Sequence, residues 1–203
     1  MIVAAITGSI GCGKTTLAKI AGNLGYAVFD ADSWVRRIYN DKEFLFELNN
    51  IFEGIVCDGK ADKKKLRKIV FEDNKKLKIL EALIHPCLKN KLKKIIRINS
   101  KRKGVLFVDA ALLFEMKWDK YCDFIIVADV DYNIQKNRVM KRDGITAEDF
   151  DKINNVQMKN SDKIKLADTV IDTNKPYNLL KNEMISVIEG LEGALYYDKR
   201  NSI

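Results

Sequence analysis

Short apolar runs alternate with segments of helical periodicity along most of the chain. Five of these runs have the length and continuous hydrophobicity of strands that are buried on both faces of a parallel sheet. They are residues 2–6, 27–29, 105–108, 124–127 and 169–171. Apolar residues at helical spacing follow most of the runs. The alternation predicts an α/β fold, with a parallel sheet flanked by helices on both sides.

The alternation is interrupted over residues 60–103, where apolar residues recur three and four positions apart and predict only helices. A helix boundary is expected before Pro86, because the residue that precedes a proline avoids the helical conformation. We interpret this segment as an inserted helical subdomain. The rest of the chain, residues 1–59 and 104–203, is predicted to form the core.

Composition fits this picture of one folded chain. The chain has 203 residues, of which 47% are hydrophobic and 32% charged, and this excludes collagen-like, low-complexity and wholly disordered classes. Its apolar runs are far shorter than the roughly 18 residues that a membrane-spanning helix needs. The amino terminus lacks the charged region of a secretory signal. A cytoplasmic protein without a membrane partner is expected.

Charge is concentrated in the predicted helical subdomain. Residues 60–103 contain 17 Lys or Arg and 4 Asp or Glu, whereas the net charge of the whole chain is +8. A concentrated positive surface indicates a polyanionic partner, either a nucleic acid or a multiply phosphorylated small molecule. A lysine-rich helical face in contact with solvent is the alternative.

A phosphate-binding loop of the form G-x-x-x-x-G-K-[ST] connects the first predicted strand to the first predicted helix. The predicted nucleotide-binding residues of this loop are Gly8, Ser9, Ile10, Gly11, Cys12, Gly13, Lys14, Thr15 and Thr16. Glycines let the backbone wrap around phosphates, and N–H groups at a helix N-terminus supply positive partial charge. Lys14 is expected to reach the β- and γ-phosphates, and the Thr15 hydroxyl is expected to ligate Mg²⁺. The loop predicts binding of a nucleoside triphosphate.

Further candidates follow two other predicted strands. Asp30 and Asp32 come after the second strand, at the sheet edge where ligands gather in doubly wound folds. One of them can accept a proton from an attacking hydroxyl, and the equal alternative is that Asp32 caps the next helix. Asp109, at the end of another strand, is a candidate for holding Mg²⁺ through water.

Gln135, Arg138 and Arg142 are three and four positions apart, so they project from one helical face. Arginines on a mobile segment are suited to clamp the oxygens of a phosphoryl group in transfer. The break at Gly144 is consistent with a lid, and a helix face in contact with solvent is the alternative.

Cys12 lies next to Lys14 and near a helix N-terminus, and both features lower the pKa of a thiol. This position suggests a thiolate that oxidation would modify. A small residue tolerated in a tight loop is the simpler alternative.

The chain resembles the dephospho-coenzyme A kinase family over nearly its whole length. The blocks that carry the resemblance occur in the family order: TGSIGCGKTT, VFDADSWVRRI, ADKKKLRKIVFED, LEALIHPCLK, VDAALLFE, QKNRVMKRDG and KLADTVIDTN. The resemblance implies a P-loop fold. It also implies transfer of the γ-phosphate of ATP to the 3′-hydroxyl of dephospho-coenzyme A, the last step of coenzyme A biosynthesis.

Residue roles are also implied by the resemblance. It makes Asp32 the catalytic base or the group that orients the hydroxyl. It assigns Arg138 and Arg142 to a phosphate-clamping lid over residues 132–160. With Lys14, these residues form the predicted catalytic set.

The resemblance also extends to the acceptor side. It puts His85 in the helical subdomain that receives the acceptor, and it makes Leu113 an acceptor-binding residue. The chain departs from the family pattern in three places: Ala111 stands for a proline, Lys63 for an arginine, and residues 173–175 read Thr-Asn-Lys where Asn-x-Gly is usual.

Two other functions remain as alternatives to this prediction. The first is a nucleoside or nucleotide kinase with a similar core and lid. The second is an NTPase that grips nucleic acid through the basic segment, but Phe71 is the only aromatic residue between Lys60 and Lys103. Single strands are usually held by stacking on aromatic side chains. The expected acceptor is therefore dephospho-coenzyme A, and no nucleic-acid partner is expected.

Overall fold

The computed structural model describes residues 1–198, apart from the side chains of residues 71, 72, 74 and 195–198. Its main elements, in chain order, are β1 (Ile2–Thr7), α1 (Lys14–Asn23), β2 (Ala27–Asp30), α2 (Ala31–Ile38), α3 (Lys42–Ile51), β3 (Val56–Cys57), β4 (Lys60–Ala61), α4 (Lys63–Glu72), α5 (Asn74–Asn99), β5 (Val105–Asp109), β6 (Phe124–Asp129), α6 (Tyr132–Asp143), α7 (Ala147–Asn155), α8 (Asn160–Ile164), β7 (Thr169–Asp172) and α9 (Tyr177–Asp198). All five predicted strands are present.

The sheet has the strand order β2-β5-β1-β6-β7. Strand β1 pairs in parallel with β5 and β6, and β6 pairs in parallel with β7. On one face, Ile6 and Phe107 of the sheet pack with Leu17 of α1 and Met184 of α9. The predicted parallel α/β fold is therefore confirmed, and the phosphate-binding loop lies between β1 and α1.

The chain divides into two compact units, residues 1–29 with 96–203 and residues 30–95. The second unit begins and ends earlier than the subdomain predicted over residues 60–103. Its core explains the difference, because Phe44 and Leu48 of α3 pack with Leu66, Val70 and Leu80 of the basic helices. The predicted boundaries lie where the charge and the alternation of strands and helices change along the sequence. The boundaries of the compact unit depend instead on which side chains pack together.

The helix boundary predicted before Pro86 is wrong, because Pro86 lies inside the continuous helix α5. A proline inside a helix costs roughly 3 kcal/mol, since it removes a hydrogen bond and crowds the preceding turn. Leu80, Leu88 and Leu92 lie on one face of α5 and are buried. Burial of three such side chains is worth about 1.5–3 kcal/mol each, so it outweighs the penalty.

Helices α6 and α7 are joined by a cluster of side chains. The Tyr132 hydroxyl donates to the Asp151 carboxylate, and Lys136 Nζ donates to the same carboxylate at 3.0 Å. The rings of Tyr132 and Phe150 meet edge to face with their centroids 5.7 Å apart. Within the part of the chain that the structure describes, no helix is long and apolar enough to cross a membrane.

Candidate active site

The phosphate-binding loop is packed so closely that two of its glycines cannot be replaced without strain. Gly8 has φ 142°, and a Cβ there would lie 2.6 Å from the carbonyl oxygen of Ala128. Gly13 has φ 88°, and a Cβ there would lie 2.8 Å from the side chain of Thr173. Both positions combine a conformation that favours glycine with contacts too short for another residue. The loop is thereby pressed against the ends of β6 and β7.

The loop forms one wall of a cavity of about 510 Å³. The residues that line this cavity are Gly11, Gly13, Lys14, Thr15, Thr16, Lys19, Arg138, Arg142, Thr173, Lys175, Tyr177 and Leu180. Five of these lining residues are cationic and none is a carboxylate. Such a lining favours a polyanionic ligand, because opposite charges attract strongly where protein walls exclude water.

Lys14 is almost fully buried, with 9% of its surface exposed. Its Nζ donates to the carbonyl oxygen of Ser9 at 3.3 Å. A buried ammonium beside a neutral carbonyl is stabilised by an anion at the same place. Lys14 is thus suited to bind phosphate in the cavity.

Arg138 reaches the phosphate loop through Thr173. Arg138 Nη1 donates to the Thr173 hydroxyl at 3.0 Å, and Nη2 donates to the Thr173 carbonyl oxygen at 3.1 Å. The Thr173 hydroxyl in turn donates to the carbonyl oxygen of Cys12 at 2.9 Å. Arg142 lines the same cavity, and its Nε and Nη2 each donate to Asp143 at 2.7 Å. The structure therefore brings both arginines and the loop to one cavity.

The back of the phosphate loop is held by amide side chains. Ser9 N–H donates to Asn160 Oδ1 and Ile10 N–H donates to Gln157 Oε1, both at 2.9 Å. Gln135 Nε2 donates to the Ile10 carbonyl oxygen at 2.6 Å. The N–H groups of Ser9 and Ile10 are therefore engaged by protein, and these two residues contribute to the site through the shape of the loop. Sequence reasoning missed Gln157 and Asn160, which carry no local signal.

The hypothesis of a reactive Cys12 thiolate is wrong. Cys12 is fully buried, and burial raises the pKa of its thiol to about 11. The neighbouring charge of Lys14 lowers this pKa by less than burial raises it. The thiol therefore stays protonated at neutral pH, as expected for a small residue in a tight loop.

In the second unit, Asp30 and not Asp32 caps helix α2. Asp30 Oδ1 accepts a hydrogen bond from Ser33 N–H at 2.9 Å. The alternative in which Asp32 is only a helix cap is therefore wrong. Asp32 lies in the first turn of α2 with its side chain exposed. Capping does not account for its presence.

Two other residues of this unit were singled out from the sequence. His85 is half-buried on α5, and burial lowers the pKa of its imidazole, whereas Glu81 opposes this shift. Lys63, where the family pattern has arginine, begins α4 and lies over the ring of Tyr39, with Nζ 4.9 Å from the centroid.

Leu113, predicted to bind the acceptor, is fully buried in the first unit. A side chain without exposed surface cannot contact a ligand in this conformation. Its backbone carbonyl accepts a hydrogen bond from Trp118 N–H at 2.9 Å. We therefore treat Leu113 as a packing residue.

The residues present fit a metal held by few protein ligands. The Thr15 side chain is exposed in the lining of the cavity, whereas Asp109, at the end of β5, is 8% exposed and is not among the lining residues. Among the residues whose side chains are described, no group of three or more His, Cys, Asp or Glu could hold a metal. Mg²⁺ suits such a site, since it usually takes one or two protein oxygens and completes its shell with phosphates and water.

A parallel sheet with this loop after its first strand, and a cationic cavity beside the loop, defines a P-loop nucleotide-binding protein. A family model described as dephospho-CoA kinase matches residues 1–178. The chain belongs to the dephospho-CoA kinase family, and it is therefore an ATP-dependent kinase. The resemblance and the class of enzyme predicted from the sequence are confirmed.

Individual relatives agree with this assignment. The dephospho-CoA kinase of Bartonella quintana (strain Toulouse) is 37% identical over 192 residues, which cover 94% of this chain and 98% of the relative. The structure of dephospho-CoA kinase from Campylobacter jejuni matches with a TM-score of 0.72 and 28% identity, over 95% of this chain and 98% of that one. A crystal structure of a Thermus thermophilus protein matches with a TM-score of 0.80 and 30% identity, over 94% of this chain and 97% of that one.

Proposed function

We propose that the chain transfers the γ-phosphoryl group of Mg²⁺-bound ATP to the 3′-hydroxyl of dephospho-coenzyme A. The observation that carries this proposal is a single cavity lined by the phosphate loop, which includes Lys14, and by Arg138 and Arg142. Family membership supplies the acceptor, and the cavity supplies a site for the triphosphate.

The donor side of the reaction rests on charge. Lys14 and the loop N–H groups bind the β- and γ-phosphates, and Arg138 with Arg142 stabilises the charge that spreads over the transferring group. The Thr15 hydroxyl, with Asp109 acting through water, would hold Mg²⁺. Mg²⁺, when bound, would neutralise negative charge on the triphosphate. These roles are consistent with a lining that contains only cationic and neutral side chains.

The acceptor side rests on the second unit and its charge. Asp32 accepts a hydrogen bond from the 3′-hydroxyl and orients it for in-line attack. Residues 60–103 contain 17 basic and 4 acidic residues, and this positive charge attracts the pyrophosphate of the acceptor. His85 contributes to acceptor binding on α5. A cytoplasmic location and the absence of a nucleic-acid partner stay predictions.

The test is consumption of Mg²⁺-ATP with different acceptors in parallel. The panel contains dephospho-coenzyme A, nucleosides and nucleoside monophosphates, single-stranded DNA, and no acceptor. We expect turnover with dephospho-coenzyme A alone, and a product heavier by one phosphate in mass spectrometry. Turnover with nucleosides or monophosphates only would overturn the proposed acceptor, and hydrolysis stimulated by DNA would favour the nucleic-acid alternative.

A further inference from the structure

Three amide side chains contact the outer side of the phosphate loop. Asn160 and Gln157 accept the N–H groups of Ser9 and Ile10, and Gln135 donates to the carbonyl of Ile10. We call Gln135, Gln157 and Asn160 the amide collar. Consecutive peptide groups at Ser9 and Ile10 are thus fixed by side chains more than 120 positions away in the sequence.

The segment that supplies Gln157 and Asn160 is itself anchored. Glu115 Oε1 accepts from Met158 N–H at 2.8 Å and from Lys163 Nζ at 3.2 Å. Lys163 is fully buried, and its Nζ also donates to the carbonyl oxygen of Ala111 at 2.5 Å. Burial lowers the pKa of Lys163, and the charge of Glu115 opposes that shift. A buried, paired ammonium of this kind holds the segment firmly, because its release would leave a charge without a partner.

Asn160 is fixed from two sides. Its Nδ2 donates to Asp129 Oδ1 at 2.6 Å and to the carbonyl oxygen of Ala128 at 3.2 Å. These bonds to the end of β6 orient the amide, so that Oδ1 faces the Ser9 N–H. Both ends of the Asn160 amide are therefore in use.

Fixing the outward peptide groups constrains the inward ones. In a tight loop, rotation of one peptide plane changes the direction of the next N–H, and a phosphate site depends on several N–H groups that converge. The N–H groups of Ser9 and Ile10 already donate hydrogen bonds to the amide collar. Turning them toward the cavity would therefore break these bonds without a gain in free energy. Donors that are already oriented bind an anion without the cost of ordering the loop.

We propose that Gln157 and Asn160 are positioning residues, which hold the phosphate loop in its phosphate-binding conformation before ATP arrives. This positioning role rests on one part of the proposed function, which is that the phosphate loop binds the triphosphate of ATP. Because these residues sit at the end of the predicted lid, residues 132–160, and Gln135 sits in it, the collar also links the lid segment to the loop.

The experiment compares Gln157→Met with wild type. Methionine has a similar length but a sulfur that accepts hydrogen bonds only weakly, so Ile10 N–H loses its partner. Asn155→Ala is the matched control, because Asn155 is an exposed residue at the end of helix α7, two positions before Gln157. Three quantities are measured: the Kd of Mg²⁺-ATP without acceptor, the KM of dephospho-coenzyme A at saturating ATP, and the unfolding midpoint without nucleotide.

We expect Gln157→Met to raise the Kd of ATP roughly 3- to 10-fold, the effect of one partly buried hydrogen bond. The KM for the acceptor should stay near that of Asn155→Ala, and the unfolding midpoint should fall by no more than about 2–4 °C, the shift that 1 kcal/mol produces in a chain of this size. An unchanged Kd for ATP would overturn the proposal. Equal losses of ATP affinity, acceptor affinity and unfolding midpoint would also overturn it, since they indicate general destabilisation. ATP binding is measured without acceptor. The change in the Kd of ATP can therefore be interpreted even if dephospho-coenzyme A is not turned over in the acceptor panel.

Amide hydrogen exchange of the wild-type protein provides a second measurement that needs no variant. A loop held before ATP arrives should protect the N–H groups of Ser9 and Ile10 about tenfold or more over an unfolded chain. Exchange of both amides at the unfolded rate without nucleotide contradicts the proposal, even if Gln157→Met does not fold.

Discussion

Arg138 and Thr173 are joined by two hydrogen bonds, one to the hydroxyl and one to the backbone carbonyl of Thr173. The same hydroxyl donates to the Cys12 carbonyl oxygen in the phosphate loop. Thr173 is 3% exposed, and Arg138 is half-buried in the lining of the cavity. The arginine proposed to clamp the phosphoryl group is therefore oriented by a residue that also contacts the loop.

Replacing Thr173 by valine keeps the shape of the side chain and removes its hydroxyl. The Cys12 carbonyl and one Arg138 N–H then lose a partner, which should lower the free energy of unfolding by about 1–3 kcal/mol. We also expect kcat to fall, because Arg138 is held less firmly. Denaturant unfolding and steady-state kinetics measure the two effects.

Thr173→Ser is the control for this change, since serine retains the hydroxyl and lacks only the methyl group. It should keep most of the wild-type kcat. If valine and serine variants have the same kcat, the hydroxyl does not orient Arg138.

Asp32→Asn tests the group proposed to orient the acceptor hydroxyl. Asparagine cannot accept a proton, so kcat should fall about 10²-fold or more, while the Kd of ATP changes little. Steady-state kinetics and equilibrium ATP binding separate these two quantities.

Asp30→Asn makes the same chemical change two residues earlier. Asn caps helices as well as Asp does, so α2 should remain capped and kcat should stay close to wild type. A similar loss of kcat in both variants, or a loss of ATP affinity equal to the loss of kcat in Asp32→Asn, would argue against Asp32 as the base.

Gly13→Ala tests how closely the loop approaches Thr173. Its Cβ would lie 2.8 Å from the Thr173 side chain at a φ of 88°, so the loop must shift. We expect ATP binding to become undetectable by titration calorimetry under conditions that saturate the wild type.

Gly190→Ala is the matched control, because a Cβ at Gly190 in helix α9 meets nothing within 4 Å. Alanine in a helix is favoured over glycine by roughly 0.5–1 kcal/mol, so this variant should be slightly more stable and bind ATP normally. Normal ATP binding by Gly13→Ala would mean that the loop tolerates the displacement.

The Cys12 thiol should resist alkylation in the folded protein. Its pKa of about 11 lies above the ordinary value of 9.0, so it remains protonated at pH 8, and it is also fully buried. Iodoacetamide should label the exposed Cys57 first, as followed by peptide mass spectrometry. Labelling of Cys12 as fast as Cys57 would contradict the burial seen here.

The same shift predicts a dependence of stability on pH. Because the pKa is higher in the folded state, the contribution of this thiol to stability is complete below pH 9 and is lost as the pH rises toward 11.

Sequence reasoning succeeded where the signal was local. The strands and the phosphate loop each depend on residues within a few positions of each other. Each could be recognised because all the residues that form it are close together in the sequence.

The errors came from contacts between distant residues or from close competition between neighbours. Pro86 stays in a helix because of packing, and the collar joins loop and amides across much of the chain. At the start of α2 the sequence offered Asp32 as a helix cap, and the hydrogen bond from Ser33 N–H to Asp30 shows that Asp30 has this role. The burial of Leu113, which the resemblance makes an acceptor-binding residue, also depends on packing that no local pattern shows.

The joint between α6 and α7 has a consequence for the two arginines. Asp151 binds both Tyr132 and Lys136 of α6, and the Phe150 ring packs on Tyr132, so the helices are fixed at several points. Arg138 and Arg142 lie further along α6, with one turn of rigid helix between them. Because Gln135 and Arg138 also bond α6 to Ile10 and Thr173, the helix holds both guanidinium groups at a set spacing beside the phosphate loop.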